Sequence, residues 1–470
     1  MESTKIFLAG RFIETSKTLK VYYPYNGDLF ATTYKAGEEH FNEAIEAAES
    51  VRLQLKKMPV YKRSGILLHI RNRLVEMRET FARTIMAESG KPIRNARAEV
   101  DRSIGIFTVA AEEAKRLPKE YMSIDWTQSG EGREALVKYF PVGIVAGISP
   151  FNFPLNLAVH KIAPAIASGC PIILKPSSTT PLSTLLLATL IAETDLPEGA
   201  VSILPMDRET GNLLVTDQRI AMVSFTGSPQ VGWKMKEQSG KKKVVLELGG
   251  NAGIIISDDC NLETAISRSV NSGFTYAGQT CIHAQRIFVQ ENVFAEFVEK
   301  YVSKASKLVV GDPAGEDTDM SVMIDEDNAV RVEQWINEAL VEGAEIAFGG
   351  KRINNLLDPT ILLKTNNSMK VCNQEVFGPV VSIMPYGDFE EAVSLINDTK
   401  YGLQAGVFTN RITEMEMAFN ELEVGGVILN DGPTFRADHM PYGGVKDSGF
   451  GREGVKYAIT DMMEARVLVK

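Results

Sequence analysis

A chain of 470 residues exceeds what one hydrophobic core serves, and 44% hydrophobic with 23% charged residues is the composition of a compact, multi-domain globular protein rather than a disordered one. The formal net charge of -10 argues against a nucleic-acid partner, which needs clustered Lys and Arg, and the one basic run, at 241–243, reads as a solvated lead-in to a strand. Its apolar stretches are too short to cross a bilayer and the first residues lack a secretory core, so a cytoplasmic location without a membrane partner is expected.

Along the chain, residues 1–59 open with short strand-like runs and turn helical from Glu38, and apolar positions at helical spacing predict longer helices over 63–89 and 94–116. From Val142 the pattern becomes strand, helix, strand: VGIVAGIS, a helix from Asn156, PIILK, a helix from Pro181, VSIL, a short helix and IAMVSFTG. Continuous apolar strands separated by amphipathic helices imply a parallel sheet covered on both faces, with ligands at its carboxyl ends. A second alternation starts near Ala252 and runs through a helix at 261–276, a strand at 284–290 and a helix at 292–308 to GGVILN. The fold class is therefore α/β with two lobes. The polar stretch near 120–139 and the strand-like ARVLVK at the end are candidate oligomerisation segments.

Cys170, Cys260, Cys281 and Cys372 lack CxxC spacing, which suits neither a disulfide framework nor a zinc site, and the five histidines show no ligand spacing, so no metal is expected. Cys281, in AGQTC between a helix and a strand, is placed to face a cleft; taken alone it would pass as an inert buried thiol. Its company alters that reading. SPFNFP, ILKPS, FTGS, LELGG, GQTC and EVFGP occur in the order and spacing of one family, and with PYGGVKDSGFGREG the chain resembles the aldehyde dehydrogenases over essentially its whole length.

That resemblance implies a Rossmann-type cofactor lobe (1–119 and 140–246), an α/β catalytic lobe (247–437) and a small β oligomerisation arm (120–139 and 438–470), giving a homodimer or homotetramer. It implies NAD(P)-dependent oxidation of an aldehyde to an acid, with Cys281, Glu247, Asn152 and Lys175 as the catalytic set. Cys281 attacks the aldehyde, and the Asn152 amide with the Cys281 N–H holds the oxyanion, where one lost donor typically costs about 2.7–4 kcal/mol. Glu247 activates the hydrolytic water. GxGxxG is missing, and the implied cofactor residues are Ser149, Pro150, Phe151, Lys175, Ser178, Gly211, Phe225, Thr226, Gly227, Ser228, Gly232, Leu248, Gly249, Glu375 and Phe377. Many NAD-preferring members carry glutamate where KPSS places Ser178; without that carboxylate a 2′-phosphate is not repelled, which favours NADP or dual use. His283, Arg436, His160 and Arg102 are the substrate-side candidates, and the carboxyl-terminal segment resembles that of members acting on small hydroxylated or anionic aldehydes such as lactaldehyde, glyceraldehyde derivatives and succinate semialdehyde. Two alternatives stay open: transfer of the acyl group to coenzyme A, against which Glu247 argues, and a catalytically silent relative, which would show a degraded residue set.

Overall fold

The computed structural model describes residues 3–470. The chain starts with a hairpin, β1 (Ile6–Leu8) and β2 (Arg11–Ile13), whose two turn residues Ala9 and Gly10 both have positive φ, the twist-matching geometry of a tight hairpin. A second hairpin follows, β3 (Lys17–Tyr22) and β4 (Leu29–Lys35). Helix α1 (Glu38–Lys57) then buries Phe41, Ala44, Ile45, Ala48, Val51 and Leu55, one stripe at helical spacing.

Where a single helix is expected over 63–89, the chain makes two, α2 (Val60–Glu76) and α3 (Arg78–Ser89), with Met77 between them at φ -99° and ψ 15°. The buried positions Ile66, Leu67, Ile70, Leu74, Phe81, Ala82 and Ile85 keep their spacing across the break, and neither Gly nor Pro stands there, so periodicity carries no sign of it. Helix α4 (Ile93–Glu113) ends in a tighter turn at Ala114–Arg116.

Strands β5 (Lys119–Ser123) and β6 (Glu134–Pro141) form, with Met463–Val469, a three-stranded sheet in which β6 is central. Tyr121 and Leu468 are exposed on one face of this sheet and Val467 on the other, and Trp126 in its loop is 91% exposed. Of residues 438–470, Gly449–Phe450 instead adds an edge strand to the first large sheet, and the helix Val455–Asp461 packs on the helix following β7.

The first large sheet contains β7 (Ile144–Ile148), β8 (Ile172–Lys175), β9 (Val201–Ile203), β10 (Ile220–Thr226) and β11 (Lys243–Glu247). These five are parallel in the order β9-β8-β7-β10-β11, flanked by antiparallel β1 and Gly449–Phe450. The chain leaves β7 toward β8 and β9 and later returns to its other side with β10 and β11, so the strand order reverses beside β7. A crevice opens at the carboxyl ends at such a point.

Helix α5 (Pro154–Ser168), following β7, is buried along its whole length and ends at left-handed Gly169; it starts two residues before the expected Asn156, with Pro154 in its first turn. α6 (Leu182–Ala192), α7 (Arg208–Thr216) and α8 (Pro229–Gln238) complete the lobe. The second sheet is built on β12 (Ala252–Ile256) and β13 (Ala284–Gln290), joined in parallel by Thr360–Leu363, Val380–Tyr386, Gln404–Phe408 and Gly426–Leu429, with Glu345–Phe348 antiparallel at one edge. Each large sheet lies in its own hydrophobic core.

α5 starts deep in the protein, and Glu99 of α4 satisfies it: one carboxylate oxygen accepts from Leu155 N at 3.0 Å and Asn156 N at 3.1 Å, while the other pairs with the buried Lys91. Glu99→Ala would strand the Lys91 ammonium together with two N–H groups. Breaking one side of a buried pair costs about 3–5 kcal/mol, so the apparent Tm at fixed scan rate should fall clearly; an unchanged Tm would show that α5 does not depend on this cap.

Candidate active site

The carboxyl ends of the first sheet face the amino ends of the second across a cleft of about 600 Å³. From the first lobe come Pro150, Phe151 and Asn152 after β7, Thr226, Gly227 and Ser228 at the end of β10, and Glu247, the last residue of β11. From the second come Leu248 and Gly249 before β12, Cys281 before β13, and Glu375 and Phe377. Arg102, Arg436 and Tyr442 also line the wall.

Cys281 is presented by a strained loop. The helix α9 (Leu262–Phe274) stops two residues before its expected end at 276, because Tyr276, Ala277 and Gly278 take left-handed φ of 49°, 51° and 68° in succession. Such residues cost on the order of 1–3 kcal/mol each unless the surroundings hold them. Tyr276 donates its hydroxyl to Ser89 O at 3.0 Å, and Gln279 accepts from Ile324 N at 2.9 Å. Asn152 donates its Nδ2 to Gln279 O at 3.0 Å, which fixes that amide beside the nucleophile loop. The Cys281 sulfur lies 3.3 Å from Tyr442 Oη. Desolvation pushes the Cys281 thiol up to about 11, opposed by the Tyr442 hydrogen bond and the Arg436 charge.

Glu247 is 3% exposed and neither carboxyl oxygen has a hydrogen-bond partner among the described residues. Burial first, and neighbouring Glu453 second, push its carboxyl well above the usual range. Of this adjacent pair Glu453 is the one held down, because Lys161, His160 and Arg436 together outweigh its burial. Lys161 Nζ reaches Glu453 Oε1 at 3.2 Å and donates to Thr226 Oγ1 at 2.8 Å; Arg436 donates to Glu453 Oε2 at 3.1 Å.

Glu375 accepts from Gly250 N at 3.0 Å, and burial raises its carboxyl to about 7 against that bond and the Arg331 charge. Phe377 meets Phe151 edge-on at 5.8 Å between ring centroids. Phe225 lies beneath Gly227 and Gly232; Ser228, the N-cap of α8, makes no side-chain bond to its first turn, and it and Gln230 face the cleft. These groups fit a dinucleotide: a helix start for phosphates, a buried carboxylate for ribose hydroxyls and aromatic rings beside them.

Three sequence expectations are corrected. Lys175 ends β8 outside the cleft wall, where its stem lies against Gly211 and burial lowers its ammonium, with Lys35 adding and Asp207 opposing; this position is on the far side of β7 from Glu247. His283 is buried away from the cleft, bonded through Nε2 to Gly273 O at 2.9 Å, and burial drives its imidazole down to about 4, so it supports the loop and does not meet substrate. His160 is also buried behind the wall, between Asp438 at 2.9 Å and Arg436 at 3.2 Å. Ser149 is buried beside Pro150, and Ser178 donates to Met206 O at 3.3 Å. Lys161, Glu453, Asp438 and Tyr442 were missed. For Lys161 and His160 a signal existed, since two polar residues stand in the otherwise apolar AVHKIAPAIA helix.

In comparison with known proteins, the Aldehyde dehydrogenase family model matches residues 12–468. The chain belongs to the aldehyde dehydrogenase family and is an NAD(P)-dependent oxidoreductase of aldehydes. It is 43% identical over 465 residues to 3-sulfolactaldehyde dehydrogenase of Priestia aryabhattai, covering 99% of this chain and 97% of that one. Among solved structures, aldehyde dehydrogenase 21 of Physcomitrella patens in complex with the reaction product succinate superposes with a TM-score of 0.98 at 44% identity, covering 100% of this chain and 98% of the other. Glyceraldehyde-3-phosphate dehydrogenase of Methanocaldococcus jannaschii complexed with NADP gives 0.93 at 39% identity, covering 96% and 98%.

The loop's position depends on Gly250, where an added Cβ would lie 2.2 Å from Cys281 O. Gly250→Ala should therefore displace the sulfur and lower kcat/KM by on the order of 10²-fold, as a misplacement of about 1 Å does. Wild-type rates in this variant would show the close approach to be dispensable.

Proposed function

We propose that the protein oxidises a small anionic or hydroxylated aldehyde to its carboxylate with NADP or NAD, through a thioester on Cys281 that water hydrolyses. The observation that carries this reading is the meeting of Cys281, Asn152 and an unpartnered Glu247 in one cleft whose wall also holds Arg102 and Arg436.

The Cys281 thiolate adds to the aldehyde carbon, and the displaced π pair becomes an oxyanion beside Asn152 Nδ2, whose orientation is set by Gln279 O. A nicotinamide held in the cleft would supply a hydride acceptor for this carbon, which leaves the acyl group on Cys281 as a thioester. Glu375, Phe377, Gly227, Ser228 and Gly249 would hold it, with Lys175 at the end of β8 and Ser178 in the loop that follows for the adenosine portion. With Ser178 in place of a carboxylate a 2′-phosphate is not repelled, and Lys175 offers it charge, which favours NADP or dual use. Glu247 then takes a proton from water, the water oxygen bonds to the thioester carbon, and the C–S bond breaks with its electron pair on sulfur.

Arg102 gives Nε and Nη2 to Asp438 at 3.0 and 2.6 Å, and Arg436 gives Nη2 to His160 and Glu453; the Nη1 group of each guanidinium is not used in these bonds. Two such groups suit a carboxylate, sulfonate or phosphate on the substrate tail. The sulfolactaldehyde and glyceraldehyde-3-phosphate enzymes are named for aldehydes of this kind, and succinate is the product held by the plant relative. The exposed arm sheet supports a homo-oligomer in which it pairs with a second copy.

Cys281→Ser should abolish reduced-cofactor formation in the absence of coenzyme A, followed by ultraviolet absorbance. Glu247→Gln should keep a first-turnover burst and lose steady-state turnover. In the wild type hydrolysis should rise with pH, since the raised Glu247 must lose its proton to act as base; steady-state turnover persisting in Glu247→Gln would remove Glu247 from that part.

Arg436→Ala and Arg102→Ala should each raise KM for succinate semialdehyde and other anionic aldehydes by roughly tenfold or more, the scale of one charge-assisted hydrogen bond, and leave propanal little changed. An equal change for propanal would sink the anion-anchor assignment.

A further inference from the structure

Tyr442 sits where no sequence argument placed a functional group, yet its hydroxyl is within hydrogen-bonding distance of the reactive sulfur, with Oη 3.3 Å from Cys281 Sγ. The side chain is 3% exposed and lines the cleft. Its backbone is pinned on both sides to Glu453, Tyr442 N donating to Glu453 O at 3.0 Å and Glu453 N donating back to Tyr442 O at 2.6 Å. The Arg436 guanidinium lies over its ring at 3.7 Å, itself held by Glu453 and His160. Gly443, the next residue, abuts the other reacting group: a Cβ there would be 2.8 Å from Glu247 Oε1. One short segment thus touches both nucleophile and base, and its phenol has no freedom to turn away.

Chemistry fixes the direction of the bond. Burial holds the phenol well above its ordinary value, so it keeps its proton. A thiolate can only accept. With the cation on its ring face the O–H is a stronger donor, and a hydrogen bond to a charged acceptor exceeds the neutral one, so the contact favours sulfur in its anionic form.

Resting on the reading of Cys281 as nucleophile, we propose that Tyr442 is a further catalytic residue: its O–H donates to Cys281 Sγ whenever that sulfur is anionic, before attack on the aldehyde and again as the C–S bond breaks. In the second event the electron pair of the C–S bond stays on sulfur, the water proton goes to Glu247, and the phenol keeps its own proton.

Tyr442→Phe tests this, since it removes one hydroxyl and retains the ring, its stacking with Arg436 and the backbone bridge. The first measurement is the rate of iodoacetamide alkylation of Cys281 against pH in the cofactor-free enzyme, corrected with Cys281→Ser for the partly exposed Cys260. The profile should move to higher pH and the neutral-pH rate fall by roughly tenfold, the scale of a hydrogen bond to a charged group. In turnover, kcat should fall by a similar factor at neutral pH, with KM unchanged for anionic and neutral aldehydes, and the deficit should close as pH is raised toward the thiol's own value. A lower kcat with an unshifted alkylation profile would overturn the proposal in favour of a donor to the carbonyl oxygen. Unchanged profile and kcat would reduce Tyr442 to packing. Undiminished turnover in Cys281→Ser would instead overturn the nucleophile assignment itself, an outcome separate from either.

Discussion

The four residues between β11 and β12 set the geometry on which the rest of the molecule depends. Leu248–Asn251 carry the chain from the last parallel strand of one sheet to the first strand of the other, so the two sheets are tied end to end and a cleft must lie between them. Leu248 gives its N–H to Ser448 O at 3.0 Å and packs where a side chain on Gly232 would stand. A Cβ on Gly249 would lie 2.1 Å from Glu375 Oε2, and one on Gly250 would meet Cys281 O. Asn251 donates to Gln374 O at 3.3 Å, fixing the segment that carries Glu375. One tetrapeptide therefore spaces the base, the nucleophile loop and the cofactor carboxylate, and it does so because two of its residues have no side chain.

A loop held this way can store strain. Three successive left-handed residues bring Cys281 to the cleft, two of them with a Cβ, and the cost falls on supports that never meet substrate. Gln279 and Tyr276 clamp the loop from below, and an added side chain on Gly278 would lie 3.1 Å from His283 Nε2. A histidine two residues from a reactive cysteine invites assignment as a base; here its bond to Gly273 O and its lowered imidazole make it part of the scaffold.

Those particulars explain what could be read beforehand. The βαβ alternation was legible because buried parallel strands must be continuously apolar and their covering helices periodic, and the motif residues Asn152, Glu247, Cys281, Glu375 and Phe377 do converge on one cleft. The break at Met77 was not, since the apolar stripe passes through it in register. The left-handed turn before Cys281 was hidden because nothing in Tyr-Ala announces positive φ. Partnerships among buried charges were equally out of reach: Glu99 with α5, Lys161 with Glu453 and Asp438 with Arg102 each join positions more than fifty residues apart. Spacing along the chain cannot encode them.

The same partnerships separate position from chemistry. Each carboxylate that holds structure has a donor of its own: Glu99 has Lys91 and two helix N–H groups, Glu453 has Lys161 and Arg436, Asp438 has Arg102, and Glu375 has Gly250 N. Glu247 has none. Pairing stabilises the ion and so weakens it as a base, whereas a desolvated, unpaired carboxyl gains proton affinity and attacks a water proton more readily once ionised. Cys281 follows the same rule in milder form, because desolvation raises the thiol while the Tyr442 hydroxyl and the Arg436 charge oppose it. In this cleft the groups that hold are satisfied by the protein, and the groups that react are left for the substrate and water to complete.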